Sequence, residues 1–409
     1  MEHVKKIIVS IKFSKINIEL GELVSEGREI YFKYYTDFIT KGLEISPIKL
    51  RLNTAINKAE VIPFEGLFGV FSDSLPDGWG KLLLDRSLTA KGVDITNMTM
   101  LDRLAFVGSK GMGALIYKPE IDDAIHKQFE FELDNIAKAT NQIISGSSIE
   151  ILDELYILGS SSGGARPKIL VGYNPKTQHI IGTEKDLPSN YEHWIIKFPA
   201  LSDRPDIANI EYAYYKMAVD SGIEMSECKL FKGKTGQVYF GTKRFDRIGN
   251  NRLHMHSAAG MMHDDFRLSN LDYGHIMDCA FRLERDVNAY EKILRLAAFN
   301  VFAHNRDDHS KNFSFLMDEN GKWKVAPAYD LTFSSSGHGM HSTMVSGESA
   351  NPNKQHLIEL ANYFKIKNAK SIIDQVQEVV NNWKSYAKKK YNVSADSKNR
   401  IEKMIGKKS

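Results

Sequence analysis

A short polar segment, HNRDDHSKNF at residues 304–313, carries residue types that phosphoryl transfer uses. In it, Asp307 and Asn312 are separated by four residues, which is the spacing of the catalytic loop of protein kinases. In that loop the aspartate accepts the proton of the substrate hydroxyl and the asparagine holds Mg²⁺. Asp308 makes a double aspartate, so the choice of Asp307 as the base depends on its spacing from Asn312.

Four further features accompany this loop in the order that an ATP-binding kinase core requires. They are a Gly/Ser-rich segment at 160–164, a lysine on a predicted strand, a glutamate early in a predicted helix and a carboxylate after a predicted hairpin, namely Lys197, Glu211 and Asp330. Backbone N–H groups of the Gly/Ser-rich segment would cradle phosphates, and Glu211 would pair with Lys197. Asp330 is predicted to bind Mg²⁺, which takes one or two carboxylates together with phosphate oxygens.

Each feature also has an ordinary structural explanation. Asp307 and Asn312 would fit a solvated turn with capping residues, Lys197 an edge-strand lysine and Glu211 a charge in the first turn of a helix. The Gly/Ser-rich segment lacks the ending G-K-[ST], which disfavours a P-loop NTPase. The order of the five features, rather than any one of them, favours phosphoryl transfer.

Periodicity indicates the elements that must position these residues. Alternating apolar residues at 7–13 predict a strand, and apolar residues at helical spacing predict helices at 206–222 and 286–303. Asn320-Gly321 predicts a β-hairpin in front of Asp330.

The chain as a whole divides into regions of different character. Residues 1–120 indicate a compact α+β unit, and the chain after residue 255 is predicted to be mostly helical. Residues 334–353, rich in Ser, Gly and His, are predicted to form an exposed loop. His254, His256 and His263 complete no zinc-like pattern, so polar helix positions or groove residues are favoured over a metal site there.

Composition and charge exclude several classes of protein. The chain has 409 residues, of which 42% are hydrophobic and 26% charged, values typical of globular rather than disordered or collagen-like proteins. Its formal net charge of +3 requires neither a nucleic-acid nor a membrane partner. The two cysteines, Cys228 and Cys279, are expected to be buried thiols rather than a disulfide framework. No apolar run approaches the roughly 18 residues of a membrane span, and we expect a cytoplasmic protein.

The chain resembles the HipA-type serine/threonine kinases, the toxin half of HipA–HipB toxin–antitoxin systems. The resemblance covers nearly the whole chain and is carried by LPDGWGKLLLDR, GMGALIY, SSSGGARPK, HWIIKFP, NIEYAYYKMA, KRFDR, NRDDHSKNFSF and APAYDLTFS. The D-x-H-x-K-N-F-S form of the catalytic loop is much more specific than Asp and Asn at the kinase spacing alone.

The resemblance implies an α+β fold with a protein-kinase-like two-lobed core. It implies a HipA-type N-terminal α+β domain at 1–120, a kinase N-lobe-like region at 121–250 and a mostly helical C-terminal lobe at 251–409. It further implies Mg-ATP as phosphate donor, and as acceptor a serine of a cellular protein, in known members often an aminoacyl-tRNA synthetase. Growth inhibition, a HipB-like helix-turn-helix antitoxin as partner and DNA contact only through that antitoxin are expected.

The resemblance also implies roles for individual residues. Asp307 would be the catalytic base, Asn312 and Asp330 the Mg²⁺ ligands, Lys197 the phosphate-binding lysine, and Phe245 would lie near the adenine. The other nucleotide-binding residues would be Ser162, Gly163, Gly164, Ala165, Lys168, His309 and Lys311.

The serine-rich loop is expected to be a site of inactivating autophosphorylation. The family's modified serine falls at Ser161, with Ser160 and Ser162 as alternatives. A phosphate there adds nearly two negative charges, which would repel ATP or reshape the loop. Two departures from the family pattern lie nearby in the site: Arg166-Pro167 replaces a Gln-Glu-like pair, and Lys243 stands where an acidic hinge residue is expected, which weakens the expectation of adenine contacts there.

Two other functions fit the same residues. One is a kinase-like co-repressor with little or no catalysis, working with a helix-turn-helix antitoxin. The other is a small-molecule kinase of the aminoglycoside type, which shares the Asp and Asn spacing. Mg-ATP binding separates the first from an active kinase, and the phosphorylated acceptor separates the second.

Overall fold

A computed structural model of the chain describes residues 2–121, 130–146, 152–159, 164–182, 186–336, 339–388 and 391–406. Within these residues, two five-stranded sheets are followed by a mostly helical region with a three-stranded sheet. No helix in this described part of the chain has the length and apolar character needed to cross a membrane.

The first region is an antiparallel sheet with four helices. Its strands are β1 (Lys6–Lys12), β2 (Asn17–Glu26), β3 (Glu29–Tyr34), β4 (Asn57–Lys58) and β5 (Leu115–Lys118). Its helices are α1 (Thr36–Ile39), α2 (Gly69–Ser72), α3 (Gly78–Ala90) and α4 (Met100–Val107). The strand order is β4-β3-β2-β1-β5, and the predicted alternation in β1 is confirmed, because Ile7, Val9 and Ile11 are all buried.

The second region is a sheet of order β7-β6-β8-β10-β9 with helices before and within it. Its strands are β6 (Lys168–Tyr173), β7 (Ile180–Ile181), β8 (Glu192–Lys197), β9 (Cys228–Lys232) and β10 (Val238–Lys243). Its helices are α5 (Leu133–Ile144), α6 (Leu152–Gly159) and α7 (Ile207–Asp220). Lys168 on β6 pairs in register with Lys197 on β8, so two lysines lie side by side at one end of this sheet.

The third region combines seven helices with short strands in its described residues. The helices are α8 (Ala258–Met262), α9 (Tyr273–Glu284), α10 (Asn288–Phe302), α11 (Lys354–Tyr363), α12 (Ala369–Asn381), α13 (Trp383–Tyr386) and α14 (Ala395–Ile405). The strands are β11 (Arg247–Ile248), β12 (Asn251–Arg252), β13 (His254–Ser257), β14 (Ser314–Met317) and β15 (Trp323–Val325), with a 3-10 turn at Ser310–Asn312. The predicted hairpin is confirmed: Phe315 faces Val325 across β14 and β15, and Gly321 has a φ of +76° in its turn.

Two expectations from the sequence are wrong in this region. His254 and His256 lie on strand β13 rather than on a helix, and both are buried. The segment after residue 334 is not simply an exposed loop, because His341, Thr343 and Val345 are buried within it. Composition did not reveal that burial, since the polar side chains of this segment find partners inside the protein.

The hydrophobic cores do not follow the order of the chain. One cluster joins the buried face of β1 to the long helix α10, through residues such as Val9 and Phe299. A second cluster joins Trp79 and Leu83 of α3 to Trp194 of the second sheet. Helix α3 therefore belongs to the first region by sequence but packs against the second sheet. The domain boundaries at residues 120 and 250 stay a prediction.

Candidate active site

A cavity of about 900 Å³ lies where the three regions meet. Most of the predicted site residues line it, namely Gly164, Ala165, Lys168, Lys197, Phe245, Asp307, His309, Lys311, Asn312 and Asp330. Glu211 lies behind Lys197 and is buried. Ser160, Ser161, Ser162 and Gly163 lie outside the described residues. The fold thus gathers residues that are up to 166 positions apart in the chain, from Gly164 to Asp330.

Lys197 lies between two carboxylates at the end of strand β8. Its Nζ donates to Oε2 of Glu211 at 2.9 Å and also forms an ion pair with Asp330. Burial alone would lower the pKa of Lys197, but the charges of Asp330 and Glu211 outweigh it and raise that pKa. Burial likewise opposes ionisation of Asp330, yet Lys197 and Lys168 hold the pKa of Asp330 well below its ordinary value. Lys197 and Asp330 are therefore both charged at neutral pH.

Lys168 adds a second cation beside Lys197. It is buried at the start of β6, and desolvation lowers its pKa, which the nearby Asp330 opposes. Two lysines next to each other repel, and an anion with several negative oxygens relieves that repulsion. This end of the cavity is suited to a polyphosphate.

The two adjacent aspartates of the catalytic loop lie in different environments. Asp307 is exposed in the cavity, with Oδ1 at 3.9 Å from Nε2 of His309. Desolvation in the cavity raises the pKa of Asp307, an effect that His309 opposes. Asp308 is buried and accepts hydrogen bonds from Tyr273 Oη at 2.9 Å, His341 Nδ1 at 2.9 Å and the Ser342 N–H at 2.8 Å. Only Asp307 of the pair is open to a substrate.

Asn312 and Asp330 offer the oxygen ligands that Mg²⁺ prefers. Nδ2 of Asn312 donates to the backbone oxygen of Asp307 at 2.7 Å, so the amide oxygen is the atom left for a cation. Among the described residues, no three His, Cys, Asp or Glu side chains gather as a metal site. The donor set fits a cation that takes its other ligands from phosphate oxygens, and it does not fit a site made by protein alone.

The apolar side of the cavity contains two neighbouring aromatic rings. The centroids of Phe245 and Tyr329 are 5.3 Å apart with 35° between the ring planes, and Phe245 and Tyr329 both line the cavity. Lys243, which replaces the expected acidic residue, pairs with Glu192 at 2.7 Å. Phe245 is thus placed where a planar base would find an aromatic contact.

Two residues of the site escaped the sequence analysis as functional candidates. Asp77, from the first region, forms an ion pair with Lys311 at 2.7 Å and lines the cavity. Arg166 pairs with Asp203 at 2.9 Å and with Glu211 at 3.4 Å. The LPDGWG stretch entered the sequence analysis only as part of the family resemblance, and nothing in the local pattern pointed Asp77 toward the catalytic loop.

Two family models match the chain. Residues 160–383 match the HipA-like C-terminal domain, and residues 15–118 match the HipA N-terminal domain. The first match alone covers more than half of the chain.

Two curated proteins are similar over part of the chain. One is a Haemophilus influenzae protein that is named as a kinase without an assigned substrate. It is 28% identical over 175 residues, which are 39% of this chain and 51% of that protein. A Sinorhizobium fredii protein with the same kind of name is 28% identical over 146 residues, 32% of this chain and 34% of that protein. The matches therefore span about half or less of these relatives' lengths.

A solved structure matches nearly the whole chain. It is a chain of the Shewanella oneidensis MR-1 toxin–antitoxin complex of HipA, HipB and operator DNA, with a TM-score of 0.69 and 16% sequence identity. The match covers 98% of this chain and 97% of that one. At this sequence identity the similarity is evidence about the fold alone. It confirms the predicted α+β fold with a two-lobed, kinase-like core.

Proposed function

The chain belongs to the HipA-like family, and from that premise we propose that it is an ATP-dependent serine/threonine protein kinase of the HipA toxin type. The observation that carries the proposal is the convergence of Lys197, Asp307, Asn312 and Asp330 on one cavity. These are the residue types that position and neutralise phosphates in kinases and that accept the proton of a hydroxyl. A solvated turn with capping residues would not need this convergence.

Most of the catalysis would come from holding the phosphates. Lys197 and Lys168 would bind phosphate oxygens, and Glu211 would keep the Lys197 ammonium in place through its 2.9 Å contact. Asn312 and Asp330 would hold Mg²⁺, which shields phosphate charge when it is bound. Positioned charges of this kind usually supply the largest part of a rate enhancement.

Asp307 would accept the proton of the attacking serine hydroxyl. Its carboxylate is exposed in the cavity, and general bases typically contribute about 10²- to 10⁴-fold. Asp308, whose buried carboxylate accepts from four donors, has no access to a hydroxyl. The spacing to Asn312 and the burial of Asp308 therefore support the same assignment.

Partners and regulation are part of the proposal. The similar chain of the Shewanella complex supports a HipB-like antitoxin as a partner, with DNA contacted only through it. The acceptor would be a serine of a cellular protein, an aminoacyl-tRNA synthetase being the first candidate. Autophosphorylation at Ser161, or at Ser160 or Ser162, would switch the enzyme off by placing a dianion at the phosphate site.

The test of catalysis is labelling of protein with radiolabelled ATP. Wild-type chain is expected to label itself or an added synthetase, and Asp307→Asn to label at least about 100-fold more slowly. Asp37→Asn, an exposed carboxylate in the first turn of α1, serves as the matched control and should label normally. Full labelling by Asp307→Asn would refute the assigned base.

Nucleotide binding and peptide mapping distinguish the alternatives. Absence of thermal stabilisation by Mg-ATP in wild type would favour the non-catalytic co-repressor. Phosphorylation of soluble aminoglycoside-like compounds without labelling of protein would favour the small-molecule kinase. Equal phosphorylation of residues 160–162 in wild type and Asp307→Ala would exclude autophosphorylation as its source.

A further inference from the structure

The start of the second sheet is tied to the first region by three hydrogen bonds. The N–H of Gly164 donates to the carboxylate of Asp77, and the N–H of Trp79 donates to the Gly164 oxygen at 3.0 Å. Nε1 of Trp79 donates to the oxygen of Lys168 at 2.9 Å. Two residues of the first region, Asp77 and Trp79, thus hold Gly164 and Lys168 by hydrogen bonds.

Asp77 also reaches the catalytic loop. Its Oδ2 is 2.7 Å from Nζ of Lys311, and both side chains are mostly buried, at 19% exposure each. Burial alone would raise the pKa of Asp77, but Lys311 and the Gly164 N–H outweigh it and hold that pKa below its ordinary value. One carboxylate therefore joins Gly164, at the described end of the Gly/Ser-rich loop, to Lys311 of the catalytic loop.

The position of Asp77 in its helix shows that this contact is not an ordinary cap. Asp77 is the N-cap residue of α3, where an aspartate normally accepts a hydrogen bond from the first turn. Its side chain makes no such bond and turns instead to Gly164 and Lys311.

The backbone beside Asp77 touches the loop directly. Gly78 has a φ of +45°, and a Cβ placed on it would lie 2.6 Å from the Cα of Ala165. Only glycine permits this approach. The helix start, the glycine and the tryptophan therefore form one contact surface against residues 164–168.

We propose that Asp77 is a positioning residue through which the first region fixes Gly164 and Lys311 around the phosphates of ATP. The proposal rests on the proposed function, since it deepens the same site. Asp77 touches no reacting atom; it acts through Gly164 and Lys311. Binding of the phosphates thus depends on a region that lies outside the kinase-like core.

The physical reason is preorganisation. A loop that is already held in its binding conformation costs less to order when the ligand arrives. Lys311 is likewise held at the cavity wall by its ion pair with Asp77. The negative charge of Asp77 repels an anionic ligand, so any gain in ATP affinity must come from the placement of Gly164 and Lys311. That gain applies only to the phosphate part of the ligand.

The experiment compares ligands with and without phosphates on the full chain. Titration calorimetry with Mg-ATP and with adenosine is performed on wild type, Asp77→Ala and Asp77→Asn. Asp77→Ala is expected to weaken Mg-ATP binding at least about tenfold, as for a lost hydrogen bond to a charged group, and to leave adenosine binding unchanged. Asp77→Asn keeps an acceptor for the Gly164 N–H and is expected to be intermediate.

Coupling and controls complete the design. The double variant Asp77→Asn with Lys311→Met is expected to be no weaker than Lys311→Met alone, because the same contact is already broken. Asp94→Ala, an exposed carboxylate of the first region that does not line the cavity, should bind like wild type. Unchanged Mg-ATP affinity in Asp77→Ala, or an equal loss for adenosine, would overturn the proposal.

The outcome is independent of catalysis. If wild type binds Mg-ATP and Asp77→Ala loses that affinity while no protein is phosphorylated, the proposed kinase function fails and the role of Asp77 stands. If wild type phosphorylates protein and Asp77→Ala binds Mg-ATP normally, the reverse holds. Melting temperatures without nucleotide identify a variant that fails to fold, and in that case Asp77→Asn alone decides the question through the same two ligands.

Discussion

Two walls of the cavity are each held by an aspartate, but in different ways. On the glycine-loop side, Asp77 forms an ion pair with Lys311 at the cavity itself. On the opposite side, Asp308 is fully buried and accepts from Tyr273, His341 and Ser342. The ion pair of Asp77 lies where a ligand in the cavity would meet it, whereas the carboxylate of Asp308 and its donors lie in the protein interior. The two carboxylates therefore hold their walls from different depths.

The segment after Asp330 is also joined to the residues that precede Asp308, through backbone hydrogen bonds at Ser334. The N–H of Arg306 donates to the oxygen of Ser334 at 3.0 Å, and the N–H of Ser334 donates to the oxygen of His304 at 3.1 Å. Kinases commonly order the segment after the metal-binding aspartate by phosphorylating it. Here the backbone and side chains of residues 341–343 donate to the buried carboxylate of Asp308, and we expect the described part of this segment to be ordered without phosphorylation.

The largest effect is expected from removing the buried anchor. Asp308→Ala leaves Tyr273, His341 and the Ser342 N–H without their acceptor in the protein interior. A buried donor left without its acceptor typically costs about 1 to 3 kcal/mol, so with several donors affected the free energy of unfolding should fall by about 3 kcal/mol or more in urea titrations. Asp308→Asn keeps part of the acceptor capacity and should lose less. A fall below about 1 kcal/mol for alanine would show that this wall is not held as described.

An effect of intermediate size is expected from a change of pH. Acid should affect the reaction rate, through Asp307, before it affects nucleotide binding, through Asp77. Desolvation raises the pKa of Asp307, so the phosphoryl-transfer rate should fall as the pH drops through that raised value, because the base must be ionised. The pKa of Asp77 is lowered, so its charge persists at that pH and the Mg-ATP affinity should fall only at more acid pH. The rate and the dissociation constant are measured separately across the acid range. Loss of affinity before loss of rate would contradict this order.

The smallest effect is expected at the outer edge of the nucleotide side. Lys243 pairs with Glu192, and the two side chains are 38% and 30% exposed. Exposed ion pairs contribute roughly 0 to 1 kcal/mol. Lys243→Ala should therefore change the free energy of unfolding by less than about 1 kcal/mol. Its Mg-ATP affinity should stay within about threefold of wild type, as measured by calorimetry. A tenfold loss would place Lys243 in direct contact with the nucleotide.

Local pattern was sufficient to predict much of the fold and which side chains meet at the candidate site. Alternation predicted β1, helical spacing predicted α7 and α10, and Asn320-Gly321 predicted the hairpin in front of Asp330. The order of the kinase features placed Lys197 and Glu211 in the right elements, and the two side chains are in contact. These features are local, or follow an order that the chain itself displays.

Contacts between distant polar residues were not predictable in this way. Asp77 is 87 residues from Gly164 and 234 from Lys311, and its local pattern describes only the start of α3. The burial of residues near His341 was missed for the same reason, since a Ser- and His-rich segment looks exposed until its acceptor, Asp308, is known. In both cases one buried carboxylate decided the outcome.

By itself, the sequence determined the chemical groups, their order and the elements that carry most of them. The reason is that backbone propensity and apolar periodicity depend on residues that are close together in the chain. The tertiary structure alone decided which of two adjacent aspartates faces the cavity, and that a helix start from the first region contacts Gly164 and Lys311 at the cavity. The reason is that a polar group leaving water takes whichever partner the packed chain brings within about 3 Å. That partner is set by how helix α3 packs against the second sheet, which no stretch of neighbouring residues encodes.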